Sequence, residues 1–252
     1  MSKLSTDELN RYARHIVLPE IGGAGQQKLK AARIVVVGVG GLGSPAVQYL
    51  AAAGIGTLVL IDDDQVSLSN LQRQVLHTTT DIDQPKVVSG QSAIAALNPN
   101  VTVECHQTRI DESNCASLLQ GADVVLDGSD NFATRYLLAD VCETLGIALV
   151  SAAVNRFDGS ITTLMPHLKD DQGRSYPRYR DLLPEPPPDH LQPTCAEVGV
   201  LGVLTGLMGT LQALEAIKVI VGIGDPLIGK LLMVDALSMR FETIGYQRKS
   251  AP

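Results

Sequence analysis

The chain has 252 residues, 45% of them hydrophobic, with 20 Lys and Arg against 27 Asp and Glu. This length suits one large α/β domain or two small ones, and it is sufficient for a sizeable core. The formal charge of −7 comes without any basic block. Duplex nucleic acid is therefore excluded as the main ligand, because binding to a phosphate backbone needs clustered Lys and Arg.

The sequence also argues against secretion, a membrane span and a cysteine framework. The opening residues lack the basic flank, apolar stretch and cleavage site of a secretory signal. The longest uncharged run, between Glu197 and Glu215, has 17 residues and four glycines, fewer than the ~20 apolar residues of a transmembrane helix. The four cysteines form no C-x-x-C pair. We expect a soluble, cytoplasmic protein without disulfides or a cysteine zinc site.

The first predicted element is a short amphipathic helix. Ser5 and Glu8 have the spacing of a capping box, and apolar residues recur at helical intervals from Leu9 to Ile16. A Gly/Gln-rich linker is predicted over residues 21–27. One exposed face of the helix would carry Arg11, Arg14 and His15.

Strands and helices alternate over the next hundred residues. Each strand is apolar throughout, which is typical of a parallel sheet covered on both faces. The first helix of this region is expected to begin with Ser44 as its N-cap and Pro45 as its first residue. The predicted strands are 34–37, 57–61, 101–103, 124–126 and 147–150, and the predicted helices are 45–53, 86–97 and 134–145.

The second half has a different character. A strand at 160–165 precedes a segment, 166–194, that holds seven prolines and is not expected to form regular structure. A Gly-rich helix over 198–221 and two strands, 231–235 and 241–244, complete the chain. Glycines recur along one face of that helix, which favours close backbone packing, although a channel for an extended peptide tail is an alternative. These glycines are Gly199, Gly202, Gly206 and Gly209.

A glycine-rich loop after the first strand predicts a nucleotide site. Gly38, Gly40 and Gly43 form G-x-G-x-x-G between a buried strand and a capped helix, and Asp62 ends the next strand, 24 residues after Gly38. Glycines permit close approach to phosphate, the helix N-terminus supplies free N–H groups, and the acid binds ribose hydroxyls while repelling a 2′-phosphate. The fingerprint alone leaves a dinucleotide and a nucleoside triphosphate open.

Charged residues beyond Asp62 favour the triphosphate. Arg73 lies just after the second strand, Lys86 begins a helix, and Asp130 and Asn131 follow a later strand, with Arg135 nearby. Two cations and a carboxylate suit a triphosphate with Mg²⁺, because the cations stabilise charge that moves onto pyrophosphate and the carboxylate holds the metal. Hydride transfer requires none of them.

Eight motifs together resemble the MoeB/ThiF/HesA family of E1-like sulfur-carrier adenylyltransferases, which belongs to the ubiquitin-activating superfamily. The molybdopterin-synthase adenylyltransferase branch is the most similar. The motifs occur in the family's order: 11–14 (RYAR), 38–44 (GVGGLGS), 62–64 (DDD), 69–74 (SNLQRQ), 84–86 (QPK), 130–135 (DNFATR), 194–202 (TCAEVGVLG) and 211–218 (LQALEAIK).

The resemblance implies a fold and an activity. The fold is a Rossmann-like, mostly parallel sheet with helices on both faces, extended by C-terminal antiparallel strands and the Gly-rich helix. One unit of 1–252 would comprise an N-terminal arm (1–30), a nucleotide-binding core (31–165), a Pro-rich crossover loop (166–194) and a C-terminal part (195–252). The activity is Mg·ATP-dependent adenylation of a ubiquitin-fold sulfur carrier that ends in Gly-Gly. A persulfide donor then supplies sulfur.

The resemblance also implies roles for individual residues. Arg14 would reach into the nucleotide site of the partner in a homodimer, Asp130 would hold Mg²⁺, and Cys195 matches a cysteine that links covalently to the carrier in some members. Arg73 and Lys86 would bind the phosphates as catalytic cations. The implied nucleotide-binding set is Gly38, Gly40, Gly41, Gly43, Asp62, Asp64, Ser69, Asn70, Leu71, Gln72, Arg73, Lys86, Asp130 and Asn131.

The chain departs from this family at the structural zinc site. Two C-x-x-C pairs hold zinc in most members, but Arg178 and Asp181 occupy the first pair's positions here and residues 246–252 contain no cysteine. We therefore expect no structural zinc, with Arg178 and Asp181 forming an ion pair that replaces part of its tethering.

Three alternative functions remain open. They are the same reaction on a thiamine-pathway carrier, an NAD-dependent oxidoreductase, and a non-catalytic E1-like module that only binds a ubiquitin-fold partner. The charged set disfavours the last two.

Overall fold

The structure is a computed structural model that describes residues 3–186 and 199–249. Its strands are β1 (Arg33–Val37), β2 (Thr57–Ile61), β3 (Thr102–His106), β4 (Val124–Asp127), β5 (Ala148–Asn155), β6 (Asp158–Leu164), β7 (Lys230–Asp235) and β8 (Arg240–Gly245). Its helices are α1 (Thr6–Arg11), α2 (Ala13–Ile16), α3 (Gly22–Ala31), α4 (Gly43–Ala53), α5 (Lys86–Leu97), α6 (Cys115–Leu119), α7 (Phe132–Leu145), α8 (Tyr179–Leu182) and α9 (Gly202–Val221).

All eight strands form one sheet in the order β3-β2-β1-β4-β5-β6-β7-β8. The first five strands pair in parallel, and β6, β7 and β8 extend the sheet by antiparallel pairing. The chain order reverses at β1, which lies between β2 and β4. Open α/β sheets bind their ligands at the carboxyl edge of the strands beside such a reversal. The predicted mixed sheet with C-terminal antiparallel strands is confirmed.

Alternate residues of the parallel strands face two separate apolar layers. In β1, Ile34 and Val36 join a cluster with α3, α4, α5 and α9, whereas Val35 and Val37 join a cluster with α6 and α7 on the opposite face. A strand apolar throughout is what burial on both faces requires. Helices therefore cover the sheet on both sides, as predicted.

The N-terminal arm differs in detail from the prediction. The capping box of Ser5 and Glu8 is present, but the helix is interrupted at Tyr12, which separates α1 from α2. Tyr12 is buried, and its hydroxyl accepts a hydrogen bond from Asn98 Nδ2 at 2.8 Å. The predicted linker at 21–27 was wrong, because α3 begins at Gly22 and buries Leu29 against the sheet. Tertiary packing here overrides the low helix propensity of glycine.

Two predicted helix boundaries were also wrong. Helix α4 begins at Gly43, so Ser44 lies inside it and donates to the Val39 carbonyl at 3.3 Å instead of acting as the N-cap. The Gly-rich helix begins at Gly202, and Gly199 lies before it with a positive φ of 77°. In the crossover segment, residues 179–182 form one helical turn that the prolines were expected to prevent.

Helix α9 has the length and mean hydropathy of a membrane-spanning segment. It packs instead against α4, β5 and β6, and Leu204, Met208 and Ala213 belong to the core. Its apolar composition is therefore that of a helix buried in a globular fold.

A polar clasp joins the C-terminal tail to the crossover segment, and it consists of Arg178, Asp181, Arg248 and Lys249. The predicted ion pair is present, with Arg178 Nη2 at 3.2 Å from Asp181 Oδ1. The same carboxylate accepts the backbone N–H of Lys249 at 3.1 Å. Arg248 donates to the carbonyls of Pro166 and Tyr176 at 3.3 and 3.2 Å. The clasp thus fastens residues far apart in the chain.

Candidate active site

A cavity of about 610 Å³ opens at the carboxyl edge of the parallel strands. Its floor includes Val37 at the end of β1 and Ile61 at the end of β2, and Gly128 follows β4 on the opposite side. The cavity therefore lies at the reversal of strand order, where such sheets bind ligands.

The glycine loop after β1 is packed too closely for side chains. Gly38 has a φ of 88°, and a Cβ there would lie 2.8 Å from the Gly128 carbonyl oxygen. A Cβ on Gly43 would lie 2.0 Å from the Gly38 carbonyl oxygen. This tight turn leads directly into α4, whose first residue is Gly43. Ser44 and Ala46 already donate their N–H groups to the carbonyls of Gly40 and Leu42, so an anion near the loop would be favoured by the N–H groups just before them, at residues 41–43, which donate to no described residue, and by the positive end of the α4 dipole.

Asp62 and Lys86 form the charged centre of the cavity. The Asp62 carboxylate accepts the backbone N–H of Val39 at 2.7 Å and of Asp64 at 2.9 Å. Lys86 Nζ lies 2.8 Å from Asp64 Oδ2 and 4.0 Å from Asp62 Oδ1. Burial raises the pKa of Asp62, although Lys86 and the two backbone donors counteract this effect. Lys86 is only 5% exposed, so its charge faces the cavity through little intervening solvent.

A turn after β2 carries the second cation. Residues 68–70 form a 3₁₀ turn in which Asn70 Oδ1 accepts the Ser67 N–H at 3.2 Å. Arg73 Nη1 donates to the Ser69 carbonyl at 3.0 Å, which holds the guanidinium beside the turn. Asn70 and Arg73 both line the cavity.

The loop after β4 presents the carboxylate of Asp130 to the cavity. Asp127 is fully buried and accepts from Ser129, Ser151 and Arg135, with Arg135 Nε at 3.1 Å. Asn131 Oδ1 caps α7. Asp130, between these fixed points, is exposed at the cavity, and across residues 3–186 and 199–249 its side chain makes no hydrogen bond or ion pair.

The structure brings most of the predicted nucleotide-binding residues to this cavity. It is lined by Gly38, Gly40, Gly41, Asp62, Asp64, Asn70, Arg73, Lys86, Asp130 and Asn131. Gly43 and Ser69 are not among the lining residues. Gly43 packs against the Gly38 carbonyl within the loop, and the Ser69 carbonyl accepts a hydrogen bond from Arg73. Leu71 and Gln72 do not line the cavity. Arg14 is exposed on α2, away from this lining, and Cys195 lies outside the described residues.

Sequence reasoning missed several lining residues. Arg109 follows β3 at the same edge of the sheet, and the carboxyl-edge rule used for Asp130 would have found it. Asn155 and Asp158 come from the β5–β6 hairpin, which no local motif marks. Gln74 is buried beside Gly40, and its Oε1 has no hydrogen-bond partner among the described residues.

Comparison with known proteins shows close sequence relatives. The chain is 50% identical over 244 residues to the SAMP-activating enzyme E1 of Haloferax volcanii, covering 97% of the chain and 87% of that protein. It is 47% identical to the sulfur carrier protein adenylyltransferase of Thermus thermophilus, covering 96% and 89%. It is 45% identical to the probable adenylyltransferase/sulfurtransferase MoeZ of Mycobacterium tuberculosis, covering 96% of the chain but 61% of that longer protein.

Solved structures share the fold at lower identity. E. coli MccB, in a crystal structure with ATP, superposes with a TM-score of 0.82 at 21% identity, covering 95% of this chain and 72% of MccB. A crystal structure of PaaA superposes with a TM-score of 0.80 at 24% identity, covering 99% and 77%.

The ThiF family model matches residues 12–251, a range that contains the whole cavity. The chain therefore belongs to the ThiF family.

Proposed function

We propose that the protein uses Mg·ATP to adenylate the C-terminal glycine of a small ubiquitin-fold sulfur carrier. The observation that carries this proposal is the cavity, because the glycine loop, the cations Arg73 and Lys86 and the carboxylate of Asp130 all line one space. The relatives named as adenylyltransferases support the same reaction. The cations and the carboxylate have no task in hydride transfer, so an NAD-dependent oxidoreductase is disfavoured.

The nucleotide would lie along the glycine loop. The loop N–H groups at residues 41–43, which donate to no described residue, and the positive end of the α4 dipole favour the phosphates there. Asp62 already accepts two backbone hydrogen bonds, but each carboxylate oxygen has two acceptor positions, so a ribose hydroxyl can still bind. Asn70, Arg73 and Lys86 would contact the phosphates from the opposite side.

The reaction joins two anions, and the protein has to offset their repulsion. An oxygen of the carrier's terminal carboxylate attacks the α-phosphorus and forms a new C–O–P linkage. The bond from the α-phosphorus to the bridging oxygen breaks, and pyrophosphate leaves with the electron pair. Arg73 and Lys86 stabilise the charge that moves onto the leaving group. Lys86 is already held by Asp64, so little reorganisation is needed.

Asp130 fits a role as the protein ligand of Mg²⁺. Magnesium in nucleotide sites takes one or two carboxylates together with substrate phosphates and water. Asp130 lines the cavity, and its carboxylate makes no hydrogen bond or ion pair in the described parts of the chain. When bound there, the ion would neutralise charge on the phosphates.

The complete enzyme would be a cytoplasmic homodimer. Arg14 is exposed and does not line the cavity of its own chain, and we assign it to the nucleotide site of the partner subunit. Cys195 would be the residue that can link to the carrier, and a persulfide donor would convert the adenylate to a thiocarboxylate. The carrier would serve molybdopterin biosynthesis, with a thiamine-pathway carrier as the alternative.

An ATP–pyrophosphate exchange assay tests this function. Radiolabelled pyrophosphate should enter ATP only when a carrier ending in Gly-Gly is present. The molybdopterin-type and thiamine-type carriers are compared side by side, each with a control that lacks the terminal glycine. The absence of exchange with any intact carrier, despite measurable ATP binding, would contradict adenylation and would favour a non-catalytic binding module.

A further inference from the structure

One buried imidazole connects three of the segments that carry proposed ATP ligands. His77 is 5% exposed and follows Arg73 and Gln74 in the chain. Its backbone N–H donates to the Gln74 carbonyl at 3.1 Å. Its Nε2 lies 3.0 Å from the Val39 carbonyl in the glycine loop. Its Nδ1 lies 2.8 Å from Ser89 Oγ on α5.

Each of the three segments presents a ligand directly beside its contact with His77. Val39 immediately precedes Gly40, which lines the cavity. Ser89 lies one helical turn after Lys86, on the same side of α5. Arg73 lies on the segment of His77 itself. The imidazole thus contacts the glycine loop and α5, which begins with Lys86, and it belongs to the same segment as Arg73.

The contact with Val39 helps to set the direction of a peptide group in the cavity wall, and it is the shorter of two contacts to this carbonyl, at 3.0 Å against 3.3 Å from Ser44 Oγ. A carbonyl oxygen only accepts, so His77 Nε2 carries the proton and donates it. Because the peptide is planar and trans, the Val39 carbonyl and the Gly40 N–H point in opposite directions along one rigid unit. The Val39 N–H is fixed in turn by Asp62 at 2.7 Å. Side chains therefore hold both peptide groups that flank the Cα atom of Val39.

We propose that His77 is a positioning residue for ATP, which fixes the Gly40 peptide relative to Arg73 and Lys86 by donating a hydrogen bond from Nε2 to the Val39 carbonyl. This role rests on the proposed function and deepens it, since it concerns the polyphosphate and not the carrier. Removal of the donor should weaken ATP binding while the affinity for the carrier is retained.

The test uses two amides of different reach. His77→Gln places an amide N–H near the position of Nε2 and keeps the bond to Val39, whereas His77→Asn reaches only the position of Nδ1 and keeps the bond to Ser89. We expect His77→Asn to raise the Kd for ATP, measured by calorimetry, and the KM for ATP by about tenfold, the effect of one buried hydrogen bond. His77→Gln should stay within about threefold of wild type, and the KM for the carrier should change less than twofold in both.

Thr163→Val is the matched control, because it removes a buried hydrogen bond of 2.7 Å to Glu215 outside the cavity lining. It should lower the thermal midpoint without raising the Kd for ATP. Equal ATP affinity in His77→Asn and wild type, or equal losses in the Asn and Gln variants, would overturn the role of His77. Calorimetry does not require turnover, so a wild-type protein that binds ATP without exchange would refute adenylation and still leave His77 tested.

Discussion

The carboxylates around the cavity differ in their partners, and this difference separates structural from chemical roles. Asp127 is fully buried and its acceptor positions are filled by Ser129, Ser151 and Arg135. Two backbone N–H groups occupy part of the acceptor capacity of the Asp62 carboxylate. Asp130 alone among these three makes no hydrogen bond within the described residues. A carboxylate without internal partners retains the capacity to bind a cation.

We therefore expect Asp130→Ala to lower carrier-dependent pyrophosphate exchange by about 10²–10³-fold, the range seen when a charge-stabilising group is removed from an active site. The fold should be intact, because the side chain supports no other described residue. Glu112→Gln, at another exposed carboxylate outside the cavity lining, is the control. Exchange at the wild-type rate in Asp130→Ala would refute its assignment to the metal.

At the scale of elements, α9 approaches its neighbours through two of its glycines. A Cβ on Gly209 would lie 2.1 Å from the Leu42 carbonyl oxygen, and one on Gly202 would lie 2.2 Å from that of Gln72. Gly206, between them, has no described atom within 4 Å of such a Cβ apart from the backbone of its own helix. Close packing is thus confirmed for two members of the predicted glycine stripe, both of them against segments next to the cavity.

These two environments predict opposite effects of alanine in one helix. Gly206→Ala should raise the free energy of unfolding by up to ~1 kcal/mol, the difference in helix propensity. Gly209→Ala should lower it by about 1–3 kcal/mol, because the methyl group collides with backbone. Denaturant unfolding measures both values. A Gly209→Ala protein as stable as Gly206→Ala would contradict the close approach of α9 to Leu42.

The clasp at the end of the chain should respond to acid. Burial of Asp181 opposes its charged form, but donors on Arg178 and Lys249 outweigh burial and lower the pKa of this carboxyl below 3.8. The carboxylate therefore contributes stability in full above 3.8, the value in the unfolded chain, and loses it as the pH falls through the lower folded value.

We expect Asp181→Asn to unfold more easily than wild type by about 1–3 kcal/mol at pH 7, because charged hydrogen bonds to a buried group are lost. The difference should begin to shrink as the pH falls below 3.8, where the carboxyl of the unfolded chain takes up its proton, and should vanish below the lower pKa of the folded wild-type carboxyl. Thermal melts from pH 7 to pH 3 give the comparison, with the exposed Asp171→Asn as a control that should match wild type. A difference independent of pH would mean that the charge of Asp181 is not what stabilises the clasp.

At the scale of the whole molecule, the cavity holds all the proposed phosphate ligands except Arg14. That residue is exposed on α2, and α2 is not among the elements that line the cavity. With Arg14 assigned to the partner's nucleotide site as proposed, a complete site would require a second chain.

A mixture of two inactive proteins tests this shared site. Arg14→Ala and Arg73→Ala should each lose exchange activity, and a hybrid dimer should regain up to half of one wild-type dimer's activity, because one of its two sites has both arginines. Subunit exchange is verified first by differently tagged chains. Fully exchanged but inactive hybrids would place Arg14 outside the neighbouring site.

We further expect the purified protein to contain no stoichiometric zinc, and its thermal midpoint to be unchanged by a chelator. Within 3–186 and 199–249, no group of three or more His, Cys, Asp or Glu is arranged to hold a metal. Elemental analysis of protein purified without chelators measures the zinc content. One tightly held zinc per chain would contradict the inference that the zinc site is lost because cysteines are missing at residues 178, 181 and 246–252.

The parallel half of the fold was predictable because its signals are local. The apolar run ending at Val37, the glycines after it and Asp62 each identify one step of a βαβ unit. The placement of Asn155 and Asp158 was not predictable, since it depends on how β6 returns along β5. His77 was missed for a related reason, because its partners Val39 and Ser89 lie on segments that only the folded chain brings together.

The clasp has a consequence for how the protein matures. The bond between Asp181 and Lys249 spans 68 positions, so it closes a large ring that includes α9 and the last two strands. A metal-bound ring would depend on the supply of zinc in the cell, whereas this one closes with atoms that every newly made chain already contains. The ion pair of Arg178 with Asp181, which orients the accepting carboxylate, is weakened by salt. We therefore expect high ionic strength and acid to open the ring.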